Sequence, residues 1–207
     1  MPTKLFINAS VKLKTAAAFH ADIEGLNESV IRTAEEFYRR LNGQYPKFFK
    51  MDVLCKWAWL GAEMLMRSTA EHLADKENFA LALHTHNGCL DVDKKYWDTV
   101  KTIPSPALFV YTLPNIMLGE LAIRHGFKGQ QTCVVLDHFD AEELYYNFSG
   151  LAANGPLSGG IAGWVNATEH ESELCFFLIS HRPSEMTFDI KNLTHIFQQD
   201  YALKIYE

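Results

Sequence analysis

The apolar run Cys133–Leu136 stops abruptly at Asp137-His138-Phe139-Asp140, and a helical pattern begins at once. A sharp strand-to-helix turn is where many α/β enzymes hold a nucleophile. This turn offers neither Ser nor Cys, only His138 between two aspartates. The macrodipole of a following helix favours the neutral ring, whereas Asp137 and Asp140 favour the cation. His138, aided by Asp137, is thus a candidate acid or base. Packing, capping or lining an interface would explain it equally well. Cys133 lies mid-strand, a poor place for a nucleophile.

Two other stretches carry ligand-type residues. "LHTHNGC" supplies His84, His86 and Cys89, with 84 and 86 on one strand face. Structural zinc wants four ligands and no fourth is near, so a strand end entering a Gly-containing loop accounts for the segment. No metal and no cofactor is expected. "SGGIAGW" lacks the lysine and the spacing of a phosphate loop. Its small residues read instead as a site of close strand–helix approach.

The elements that must position these residues follow from hydrophobic period. Strands are expected over "KLFINASVKL", "NFALALHTH", "QTCVVL", "GGIAGWVNA", "ELCFFLIS" and "YALKIYE". The run "QTCVVL" is fully apolar, which predicts burial on both faces. Helices are expected over "NESVIRTAEEFYRRLNG", N-capped by Asn27, and over "FFKMDVLCKWAWLGAEMLMRS", N-capped by Asp52. Others are "DVDKKYWDTV", "LPNIMLGELAIRHG" (Pro114 in its first turn, Gly126 past its end), "AEELYYNFSGLAANG" and "LTHIF". Strands alternating with helices give an α/β layered fold. No repeat or linker interrupts it, so one domain spans 1–207.

Several segments, in this order, resemble the N-terminal half of β-ketoacyl synthases. "YPKFFKMDVLCKWAWLGAEML" is similar to their early R-M-D helix, and "LALHTHNGCLDVDKKYWDTV" to their second strand and the loop after it. "PSPALFVYTLPNIMLGELAIRHGFKGQQTCVVL" is similar to the segment that runs through N-x-x-x-G-x-x-A-I-x-x-G-x-K-G-P into the nucleophile strand. "GPLSGGIAGWVNA", "ESELCFFLIS" and "ALKIYE" resemble later strands. The resemblance covers most of the chain from Tyr45 onward. It implies a thiolase-like α/β fold with a mixed sheet flanked by helices, and a single β-ketoacyl synthase N-terminal-like domain.

Two departures bear on function. The family's nucleophile turn is here "LDHFD", with His138 where the cysteine would be. The family's C-terminal half, which carries two catalytic histidines, has no counterpart. Decarboxylative condensation needs a thiolate to hold the acyl chain and donors for the developing oxyanion. The resemblance therefore implies a non-catalytic partner, like the chain length factors of fatty acid, aryl-polyene or polyketide-type pathways. It implies a full-length ketosynthase as partner, or a second copy of this chain. Asn115, Met117, Leu118, Gly119 and Phe139 become candidate interface or tunnel residues. Alternatives are an acyl-thioester enzyme using His138, and a module for acyl carrier protein docking at Lys47, Lys50 and Lys56.

Composition sets the outer bounds. The chain has 207 residues, is 48% hydrophobic and 13% aromatic, and has a net charge of -6. It is long enough for one sizeable core and too acidic for a broad nucleic-acid surface. No apolar run approaches a membrane span, and the first residues do not read as a signal peptide. The four cysteines include no CxxC pair. Reduced thiols in the cytoplasm are expected.

Overall fold

Alternation along the strands sorts apolar side chains to the two sides of one six-stranded sheet. The computed structural model describes residues 4–15, 33–69, 75–199 and 202–206. Its strands are β1 (Phe6–Thr15), β2 (Phe79–Thr85), β3 (Gln131–Val135), β4 (Gly159–Ala167), β5 (Ser172–Ser180) and β6 (Ala202–Ile205). They lie in the order β3-β2-β4-β5-β1-β6. β2 pairs in parallel with β3 and β4, and the remaining pairs are antiparallel. The sheet is mixed, as the resemblance implied.

Helices cover both faces. Against one lie α1 (Ala34–Arg40), α2 (Val53–Ser68) and α5 (Ile116–His125), packed on Val11, Leu81, Leu83, Ile161 and Phe176. Against the other lie α6 (Ala141–Ala153) and α7 (Ile190–Gln198), packed on Ile7, Ala80, Ala82, Phe177 and Ile179. Gly160 makes the second packing close, since a Cβ there would lie 2.6 Å from the Phe148 ring of α6. Two further helices, α3 (Leu90–Val100) and the single-turn α4 (Pro106–Phe109), join β2 to α5.

Local chemistry explains where the helices begin and end. Asp52 N-caps α2 by accepting from the Leu54 and Cys55 N–H groups, as expected. Gly126 ends α5 at φ 76°, a left-handed conformation that glycine adopts freely. The N-terminal limit of α1 differs from the expectation. Thr33 and Glu36 form a reciprocal capping box, while Asn27 lies outside the described residues.

Two buried carboxylates tie α2 and α5 to their surroundings. Glu63 accepts from Arg124 at 2.8 and 2.9 Å and from Arg67 at 3.0 Å. Burial works against its charge, but the arginine bonds outweigh it and hold the carboxyl below its ordinary range. Glu120 pairs with Lys47 at 2.8 Å and accepts from the Tyr111 hydroxyl at 3.1 Å.

Candidate functional site

The turn after β3 is built in steps. β3 follows β2 in parallel register, Leu83 opposite Cys133 and Thr85 opposite Val135. The Leu136 N–H then donates to the Thr85 carbonyl at 2.9 Å, one residue past the strand. The chain turns through Asp137 and His138, both exposed. Phe139 folds back and stacks on Phe197 of α7, with centroids 3.9 Å apart and planes 10° apart. Asp140 caps α6, one carboxylate oxygen accepting from the Glu142 and Glu143 N–H groups at 2.8 and 3.1 Å.

That cap decides what the turn can do. The first-turn donors that would serve an incoming anion already hold the chain's own carboxylate. No thiolate is available either. Burial pushes the Cys133 thiol up to about 11 and raises Cys55, Cys89 and Cys175 as well. Thiols raised in this way are protonated at neutral pH, so none of the four cysteines offers a thiolate for acyl transfer.

Two histidines flank the turn differently. His86 is past the end of β2 and exposed, and its Nδ1 donates to the Leu136 carbonyl at 3.1 Å. His84 is 1% exposed on the α6 face of the sheet, opposite Trp164. Its Nε2 faces Asn147 Nδ2 at 3.4 Å, and that amide donates to the Glu143 carbonyl at 2.8 Å. Its Nδ1 has no partner among the described residues, and neither has the buried indole nitrogen of Trp164. Burial lowers His84 to about 4 against a smaller opposing effect of Asp140, so the ring is neutral. His84 and His86 do not share a face, because the strand ends at Thr85. Among the described residues no three His, Cys, Asp or Glu side chains are placed to hold a metal.

The other candidate residues divide. Asn115, exposed, precedes the first turn of α5. Met117 and Leu118 are fully buried in the chain's own core. This corrects their assignment to an interface: the apolar stripe of α5 packs on α2 and the sheet. At Gly119 an added Cβ would meet nothing within 4 Å, so none of the described residues makes the close approach the glycine permits. Of Lys47, Lys50 and Lys56, the first and last are paired with Glu120 and Glu35, which offsets two of the three charges.

β3 departs most from expectation. It is an edge strand rather than one buried on both faces: among the described residues β2 is its only neighbour, and Val135 is 57% exposed. Exposed apolar side chains lie on the segments leading into it: Phe109, Val110 and Leu113, then Ile123 at 67%. Sequence reasoning missed this set. Its one signal was the apolar density of "ALFVYTLP", more than a short surface connection needs.

The geometry has counterparts among solved structures. The ishigamide ketosynthase/chain length factor matches with a TM-score of 0.60 at 14% identity, over 86% of this chain and 62% of that one. A structure of the ketosynthase ApeO in complex with its chain length factor ApeC, from Xenorhabdus doucetiae, matches with a TM-score of 0.54 at 11% identity, over 93% and 90%. AntDE:AntF, a type II polyketide synthase acyl-carrier protein in complex with its ketosynthase, matches with a TM-score of 0.57 at 12% identity, over 88% and 64%. The fold is that of ketosynthase and chain length factor complexes. This ketosynthase-like chain spans less than two thirds of the length of the first and third of those chains. No protein-family model and no curated protein matches the sequence.

Proposed function

We propose that this chain is a non-catalytic, ketosynthase-like subunit, a relative of chain length factors, that pairs with an active ketosynthase in fatty acid, aryl-polyene or polyketide-type lipid biosynthesis. The observation that carries the reading is the edge strand β3, whose outer edge pairs with none of the described residues, and its exposed Val135. Exposed sheet edges are templates for pairing, and proteins normally cover or blunt them. A partner strand added there would bury Val135, while Ile123, Phe109 and Leu113 supply apolar contact beside it. In this arrangement Asp137 and His138 stand at the seam, where the family's cysteine would be, and Asn115, Gly119 and Phe139 border the partner's acyl tunnel. The chain shapes that tunnel and leaves the thiol chemistry to its partner. The setting is the cytoplasm.

The test is co-expression with each ketosynthase of the same pathway. The expected result is a copurifying complex that Val135→Lys or Ile123→Asp dissolves, and a product chain length that changes when this subunit is omitted. No copurification and an unchanged product would overturn the proposal. A homodimer dissolved by the same substitutions would assign the edge to self-pairing instead. His138→Ala separates this reading from acid–base catalysis, since a pairing subunit keeps full pathway activity with alanine there.

A further inference from the structure

Buried donors in folded proteins find acceptors, and two beside α6 have none among the described residues. His84 is 1% exposed and Trp164 4%. They stand opposite one another on the parallel strands β2 and β4. Each has a buried ring nitrogen without a hydrogen-bond partner there, Nδ1 of His84 and Nε1 of Trp164.

The surrounding bonds settle what these nitrogens are. Asn147 Nδ2 donates to the Glu143 carbonyl at 2.8 Å, which orients the amide, since the reversed group would set oxygen against oxygen. The same Nδ2 faces His84 Nε2 at 3.4 Å. A donor in that place requires a lone pair on Nε2, so the proton of the neutral ring sits on Nδ1. The indole nitrogen of Trp164 is a donor only. Two N–H groups on adjacent strands therefore lack an acceptor, and neither can serve the other. Leaving them so is costly in a buried layer. Their neighbours on this face are small: Ala82 and Ala162, two residues earlier on each strand, and Cys175 opposite Trp164. Small neighbours leave space for one oxygen between the rings.

We infer that one internal water bridges the two rings, its oxygen accepting from His84 Nδ1–H and from Trp164 Nε1–H. A water accepts both and keeps two hydrogens to give. The Asp140 carboxylate, whose charge acts on the His84 ring, and the Cys175 sulfur are the acceptors nearby. The water is a positioning group. Through it β4 joins a series of polar contacts from Trp164 through His84 and Asn147 to Glu143, in the first turn of α6. That turn follows Asp137–Asp140 directly, so the water helps to hold the turn in place. The inference is independent of partner pairing, which uses the β3 edge.

The test is a crystal structure of the full chain at a resolution that shows ordered waters, with nitrogen and proton NMR of the same protein at pH 7. The crystal should show a single isolated oxygen about 2.7–3.2 Å from both nitrogens. In NMR the His84 ring should be in its Nδ1–H form, and the Trp164 indole proton should give a cross-peak to a long-lived water. Three results would overturn the inference. One is the Nε2–H form of His84, whose free Nδ1 would take the indole proton directly. Another is density with no oxygen in reach of both nitrogens, or with a molecule larger than water. The third is an indole proton with no water cross-peak.

Discussion

Asp140 and His138 are two residues apart and should behave oppositely when replaced. Asp140 holds two backbone donors of α6, so Asp140→Ala should cost about 1 kcal/mol in urea unfolding. His138 is exposed, and His138→Ala should stay within about 0.5 kcal/mol. His84 makes a prediction in pH. Its folded value of about 4 lies below the ordinary 6.5, so the unfolded chain takes up the proton first. Stability is full above pH 6.5 and falls as pH drops toward 4, by up to ~3 kcal/mol. His125, half-buried and likewise lowered to about 4, adds a loss in the same window, and desolvation is again the main cause. Urea unfolding at pH 7 and pH 5 measures the slope, which His84→Leu should flatten. The position of His84 at a strand end was legible in the sequence. Its burial was not, because that depends on α6 folding over β2 from sixty residues away.

Helix limits were readable where a cap is local chemistry, as at Asp52 and Gly126. The capping box of Thr33 and Glu36 is equally local, yet the apolar period continuing upstream through Val30 concealed it. The edge position of β3 was illegible for a different reason. "TCVVL" has no polar alternation to distinguish a strand between two neighbours from one awaiting a partner. Close packing was partly visible in the paired glycines: Gly160→Ala should force the Ala80 carbonyl and the Phe148 ring apart and lower the unfolding midpoint by more than an exposed substitution does. The tie between α2 and α5 was not visible, since nothing in sequence pairs Glu63 with Arg124. Glu63→Gln leaves two arginines without their counter-charge. It should cost about 2–4 kcal/mol, read as a shift of the urea midpoint with unchanged slope.

At the scale of the molecule, the three layers and the mixed sheet follow from alternating elements, while the seat of function depends on surfaces the layers leave open. Val135, at the C-terminal end of β3, and the α6 face near Ala152, beside the start of β4, lie toward opposite ends of the parallel strands, so substitutions at one should leave the other intact. A thermal-shift comparison of Val135→Lys and Ala152→Trp, alone and together, should give additive effects. One consequence lies in the order of synthesis. β1 is held between β5 and β6, and Ser10 meets the Tyr206 hydroxyl across 196 residues of chain. A ribosome adding roughly 5–20 residues per second exposes β1 for on the order of ten seconds or more before β5 emerges. Over that interval neither of its edges has a strand to pair with in the nascent chain. Such long-range pairing folds slowly, and it makes β1 a segment in need of a chaperone.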